Sequence, residues 1–247
     1  MKWVSADGLF TKSSNESMTR NDLPERLRAV TGDAIRPGGL ALTERAADFC
    51  GFSKGARIVD IGCGFGATLS HLRDRHDFRA CGIDISARLF ESRGQPVIQA
   101  SADKLPFGAG VFDGVFCECV LSLLSLPENA LCEFHRVLQP GGYLVLSDIY
   151  LRNPDLAQKI EGQPSCLSGA TAQSERIAQV KNCGFELLLW ENHSGYLKEV
   201  AARIVWTLGS REGLMKLFFP GACSVCDWEA IQRARPGYFL LIACKKE

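Results

Sequence analysis

Asp60-Ile61-Gly62-Cys63-Gly64-Phe65-Gly66, standing at the end of the apolar run Ala56-Arg57-Ile58-Val59, decides how this chain is read. An apolar run that stops at clustered glycines and restarts as a helix near 67–75 describes a buried parallel strand, a tight turn and a helix. Glycine permits positive φ and, lacking a Cβ, lets a ligand lie against the backbone. The helix offers free N–H groups and the positive end of its dipole. A nucleotide-like ligand at the carboxyl end of a strand in an open sheet is therefore expected.

Nearby carboxylates choose among nucleotides. Gly62, Gly64 and Ala67 satisfy the loose dinucleotide fingerprint, but Asp60, two residues before the first glycine, would repel a pyrophosphate. Asp60 suits a ligand carrying an ammonium group. S-adenosyl-L-methionine has an α-ammonium, a sulfonium and no phosphate, and fits better. Asp84, after the strand Ala80-Cys81-Gly82-Ile83, suits a carboxylate accepting both ribose hydroxyls.

Outward from this point strands and helices alternate. Strands are predicted near 57–61, 79–83, 97–99, 111–117 and 142–147, which implies a parallel sheet covered on both faces. An amphipathic helix over 40–50 ends at Gly51. Asp22-Leu23-Pro24-Glu25 has the form of a capping box and opens a helix to about residue 31, after a polar arm. The expected organisation is an N-terminal arm and helix over 1–35 and a main domain over 36–247. Residues 150–169, and a helical insertion over about 192–236, exceed a minimal fold. Leu197, Val200, Ala201, Ile204, Val205 and Leu208 recur in the insertion at helical spacing as a packing face. Above the strand ends, such an insertion reads as a lid that sets substrate choice.

Five ordered segments resemble the class I S-adenosylmethionine-dependent methyltransferases, in the small type 11 branch that includes the ubiquinone/menaquinone methyltransferases. They are Val59 to Gly66, Gly82-Ile83-Asp84-Ile85-Ser86, Ala102-Asp103-Lys104-Leu105-Pro106-Phe107, Phe112-Asp113-Gly114-Val115-Phe116, and Arg136-Val137-Leu138-Gln139-Pro140-Gly141-Gly142. The resemblance implies a Rossmann-like, doubly wound, mainly parallel seven-stranded sheet whose last strands, 185–190 and 238–244, form an antiparallel edge. It implies S-adenosyl-L-methionine as cofactor and S-adenosyl-L-homocysteine as product. Asp60, Gly62, Cys63, Gly64, Asp84, Ile85, Ala102, Asp103 and Glu118 are the cofactor-binding candidates, with the acid at 103 toward the adenine amine.

Composition agrees with an enzyme. The 247 residues, 46% hydrophobic and 23% charged, can bury one substantial core. With 28 basic and 28 acidic residues the net charge is zero, and no basic stripe argues for nucleic acid. No apolar stretch is long enough to span a membrane, and Met1 to Asp7 lacks a signal-peptide core, so a cytoplasmic location is expected.

Methyl transfer asks mainly for alignment of nucleophile and methyl carbon with water excluded. A carbon or hydroxyl acceptor also needs a base. Glu118 and Cys119, after the fourth strand, and Asp148 and Tyr150, after the fifth, are candidates, with His193 as a possible base from the lid. His71, His76 and His135 read as structural. Cys166-Leu167-Ser168-Gly169-Ala170 is similar to a Cys-x-Gly-Gly-Ala segment of arsenite methyltransferases, which implies a soft acceptor held by Cys166 with Cys223 and Cys226. Packing is the competing role for those thiols. A zinc site on Cys223 and Cys226 lacks two further ligands, and no metal is expected. The reading is a methyltransferase for a small molecule; the alternatives are a metalloid or thiol acceptor, or a non-catalytic cofactor-binding module.

Overall fold

A computed structural model describes residues 27–29, 31–86, 96–154, 166–167, 169–210 and 225–246, with side chains from 229 onward in the last stretch. The polar arm, the capping box at Asp22 and the thiol of Cys223 lie outside the described residues, as does the side chain of Cys226.

Helix α1 (Ala41–Cys50) buries Leu42, Thr43, Ala46, Ala47 and Cys50, and ends at Gly51 with φ 60° and its N–H on Ala47 O. That left-handed residue stops the helix where the sequence places the glycine. Strand β1 (Arg57–Ile61) is buried except at Arg57, and helix α2 (Ala67–His76) follows the glycine turn. Then come β2 (Arg79–Asp84), β3 (Val97–Gln99) and β4 (Phe112–Glu118). Helix α3 (Pro127–Val137) has proline in its first turn and buries Ala130, Leu131, Phe134 and Val137. The chain continues as β5 (Leu138–Leu151), β6 (Thr171–Ala172), α4 (Gln173–Asn182), β7 (Phe185–Asn192), α5 (Ser194–Leu208), α6 (Val225–Ala234) and β8 (Pro236–Lys245).

The main sheet has the order β3-β2-β1-β4-β5-β8-β7, with β6 a two-residue addition to β5. The β1, β2, β3, β4 and β5 pairings are parallel. Strand β8 is antiparallel to both β5 and β7. The antiparallel strand thus sits one place in from the edge, and β7 is the edge. Alternation along β5 sends Leu144 and Leu146 to one core, shared with Leu131 and Phe134 of α3. Val145 goes to the other, with Ala46, Ala47, Leu69 and Leu72 of α1 and α2. Two cores on opposite faces explain why the central strands read as continuous apolar runs.

The structure corrects one placement. Strand β5 runs on to Leu151, so Asp148 and Tyr150 belong to the strand and do not follow it. The stripe on α5 packs as expected: Ile204 is fully buried with Leu27, beside Val200, Val205, Leu208 and Ile35, while Trp206 on the other side is 89% exposed. Helices α1 and α2 are also joined by Glu44, which meets His71 at 2.6 Å and His76 at 2.8 Å. Hydrogen bonds from His76 and then His71 hold its carboxyl down at about 2.

Candidate active site

The carboxyl ends of β1, β2 and β4 form the site, and the glycine turn is its floor. Gly62 and Cys63 donate their N–H groups to Ile83 O at 2.7 and 3.0 Å, tying the turn to β2. Gly62, Gly64 and Gly66 all have positive φ, at 67°, 51° and 75°. Their surroundings differ. A Cβ on Gly62 would stand 2.2 Å from Val120 Cγ2, whereas one on Gly64 meets only Gly62 O at 3.9 Å and one on Gly66 meets nothing within 4 Å. Space is open beside Gly64 and Gly66, whereas the closed side at Gly62 is packing. Gly62→Ala should therefore destabilise the fold by about 1–3 kcal/mol from overpacking and strain. Val120→Ala in that background should restore part of the loss. Urea denaturation of the single and double variants measures both.

Cys63 fills space under β2: a Cβ added to Gly82 would meet its Sγ at 2.6 Å. Burial pushes the Cys63 thiol far up, with Asp60 and Asp84 adding to the effect.

Asp84 ends β2 half-buried. Its Oδ2 accepts Gly64 N–H at 2.9 Å and its Oδ1 accepts Ser86 N–H at 2.9 Å. A carboxylate offers about four acceptor positions, so capacity for two more donors remains. Ile85 beside it is 73% exposed, a large apolar side chain left facing solvent. Ala102 is buried, and Asp103 is exposed and accepts from Ser101.

Asp60 is 3% exposed, and its Oδ2 is buried with no hydrogen-bond partner among the described residues. Burial raises its carboxyl well above the usual range, and the charges of Glu118 and Asp84 add to this while Arg36 opposes it. Glu118 is fully engaged. It accepts Thr43 Oγ1 at 3.0 Å, Thr68 Oγ1 at 2.9 Å and an Arg36 guanidinium N–H at 2.8 Å. Burial would lower the Arg36 pKa, but Glu118, Tyr238, Asp60 and Cys119 around it raise it overall. Two carboxylates, Glu118 and Asp60, thus face one guanidinium, with Asp84 adding its charge at Asp60. The field favours a cation and opposes a pyrophosphate.

Sequence reasoning missed Arg36, Thr43, Thr68 and Tyr238. Arg36-Pro37-Gly38-Gly39 reads only as a turn, yet Gly38 sits so close to α5 that a Cβ would meet Tyr196 at 2.9 Å. No periodicity links a turn arginine to a strand-end glutamate 82 residues later. The preceding helical residues also reach the site, since the Arg28 guanidinium lies 4.5 Å above the Phe65 ring.

The base candidates fare differently. Asp148 accepts Ser122 N–H at 2.8 Å, Ser122 Oγ–H at 2.7 Å and Ile149 N–H at 2.8 Å. Burial raises its pKa, and those bonds pull it back. It anchors the loop after β4. The Tyr150 ring lies in the core, edge-on to Trp190 and Phe239. His193 is bound to Glu191 at 2.9 Å and stacked on Tyr196. Two strands separate β7 from β4, and His193, just past the end of β7, donates its N–H to Tyr238 O. At the centre stand instead Cys119, at φ 58°, its sulfur 3.0 Å from Tyr238 Oη, and Tyr238 donating to Ser147 Oγ at 3.1 Å.

Cys166 packs with Cys119 against Leu42, Ile149, Leu151 and Tyr238. Burial pushes its thiol up to about 12. Such a thiol stays protonated at neutral pH, which favours packing over soft-ligand capture.

This site, at the carboxyl ends of a sheet with one antiparallel strand, belongs to the class of Rossmann-like methyltransferase folds. Residues 59–146 match the family model described as "Methyltransferase domain". Among curated relatives, "O-methyltransferase rstn1" of Aspergillus nomiae is 30% identical over 53% of this chain and 60% of its own length. The chain spans about 60% of the length of the first such relatives. Among solved structures, the "[4+2]-Cyclase SpnF" superposes with a TM-score of 0.72 and 23% identity, covering 91% of this chain and 94% of that one. Phosphoethanolamine N-methyltransferase 2 of Haemonchus contortus, solved with S-adenosylhomocysteine, gives 0.69 and 18%, covering 91% and 56%.

Proposed function

We propose that this chain is an S-adenosylmethionine-dependent methyltransferase acting on a small molecule. The orphaned Asp60 oxygen carries the reading: a buried carboxylate oxygen with no donor among the described residues, beside two further carboxylates, suits a cationic group. The residues present fit the cofactor. Asp60 and the open face of Gly64 and Gly66 would take the amino-acid end, Asp84 the ribose hydroxyls, and Ile85, Ala102 and Asp103 the adenine. When bound, the cofactor supplies a methyl group on a good leaving group. Glu118, held by Thr43, Thr68 and Arg36, positions the floor and completes the anionic field.

Both buried acids after Asp60, Glu118 and Asp148, are committed to hydrogen bonds, which makes them poor proton acceptors. This supports acceptors that bring their own nucleophile, an amine or an acidic hydroxyl, aligned with water excluded. Leu42, Leu167, Tyr196, Leu197 and Tyr238 cluster around Cys119, the residue after Glu118, and an apolar wall there favours an acceptor with an apolar body. The ubiquinone/menaquinone-like branch rests on the motif order in the sequence. No helix among the described residues is long and apolar enough to cross a membrane.

Asp84→Ala should weaken S-adenosylhomocysteine binding at least tenfold while the protein stays folded, because charge-assisted bonds contribute about 1.5–3 kcal/mol each. Calorimetry reads the affinity and circular dichroism the fold. Unchanged affinity would remove Asp84 from the site. Tight binding of S-adenosylmethionine without transfer to amine or phenol acceptors would turn the reading into a binding module.

A further inference from the structure

Helices α1 and α2 meet outside the glycine-turn site at a second cluster, where three metal-binding side chains converge. Glu44 Oε2 lies 2.6 Å from His71 Nε2 and 2.8 Å from His76 Nε2. The ligand atoms of all three residues fall within 4.8 Å of one another. We propose that Glu44, His71 and His76 form a binding site for a divalent transition-metal ion, zinc by preference, that clamps α1 to α2.

The donor set selects the ion. Two imidazole nitrogens and one carboxylate oxygen suit borderline ions such as zinc and leave a fourth position for water. Calcium and magnesium want oxygen ligands throughout. The geometry is close to what zinc needs. Ligands about 2.0–2.1 Å from a tetrahedral ion stand about 3.3 Å apart, so the two Glu44 contacts have to open by about 0.5–0.7 Å. Both rings aim the same nitrogen at one point, although they come from opposite ends of a helix turn and a half.

The rings are held in place before any ion arrives. His76 stacks on Phe78 with centroids 5.0 Å apart, and His71 stands edge-on to His76 at 5.8 Å. The histidine side chains are 18% exposed and Glu44 30%, which gives an ion a route in and a water a place to sit. Arg75, 3.3 Å from Glu44 Oε1, competes for the carboxylate, but it is 68% exposed and free to swing into solvent.

The position gives the ion a consequence. Thr43 and Glu44 are neighbours on α1, and Thr68 and His71 lie one turn apart on α2. The same two helices therefore carry both hydroxyls that grip Glu118. An ion between Glu44 and the two histidines fixes the spacing of α1 and α2, and with it that grip.

Cobalt(II), added to the full-length reduced protein, is the probe that separates this site from the cysteines. Expected is one equivalent bound with visible d–d absorption and without a near-ultraviolet thiolate-to-cobalt band, together with a higher thermal midpoint. His71→Gln/His76→Gln should lose that equivalent and that thermal gain. Glu44→Gln, which keeps a hydrogen-bond acceptor for both rings, should bind at least tenfold more weakly and covers the case where the double variant does not fold. Binding unchanged in these variants, a spectrum dominated by thiolate, or no binding at micromolar cobalt would each overturn the proposal.

Discussion

Glu118→Ala should lower the thermal midpoint more than any other single change in the site. Its carboxylate is 2% exposed and satisfies the Arg36 guanidinium, itself 10% exposed, at 2.8 Å. It is also the acceptor for Thr43 and Thr68. Removing one partner of a buried ion pair leaves the other charge buried, a loss of about 3–5 kcal/mol. For a domain of this size that corresponds to a fall of roughly 6–20 °C. The orphaned oxygen of Asp60 gives Arg36 a second carboxylate within its field, which argues for the lower half of that range. Glu118→Gln keeps an acceptor and should fall less. Differential scanning calorimetry checks the order; a drop under about 2 °C for alanine would mean that Arg36 does not depend on Glu118.

Asp60→Asn should move stability and binding in opposite directions. The carboxyl of Asp60 is pushed up by burial and by the charges of Glu118 and Asp84. A buried acid with a raised pKa binds its proton more tightly folded than unfolded. Its penalty is absent below the unfolded value near 4, grows as pH rises toward the folded value, and is fully present above it. The amide removes that penalty, so the cofactor-free variant should be more stable than the wild type above that window, by about 1 kcal/mol. The same change removes the charge offered to the cofactor's ammonium and should weaken S-adenosylmethionine binding roughly tenfold to a hundredfold. Denaturant titration at pH 5 and pH 8, paired with calorimetry, reads both signs. A variant that is less stable at pH 8 than the wild type would show that Asp60 has a donor in the free protein.

Most of the strand-and-helix order was legible because it is local. The apolar run 57–61 and its glycines carried β1 and the turn, Gly51 ended α1, and the β2 run led to Asp84. The end of β5 was not legible, since Ser147-Asp148 looks like the polar finish of a strand. Pairing with β8 through Leu151↔Pro236 extends it by four residues, and a cross-strand partner leaves no mark in local sequence. The same holds for Arg36, read as part of a turn until its guanidinium is seen on Glu118.

The sequence by itself determined the parallel βα order, the glycine turn and the two carboxylates at the ends of β1 and β2, because backbone freedom and strand-end position are properties of neighbouring residues. Tertiary structure alone decided what each acid does. Among the described residues Asp60 keeps an oxygen without a donor, while Glu118 and Asp148 are engaged by Arg36, Thr43, Thr68 and Ser122. It also decided that Gly62 is held by Val120 and that Glu44 meets two histidines from another helix. Burial and the distance between groups far apart in the chain set these roles, and neither quantity exists until the chain has folded.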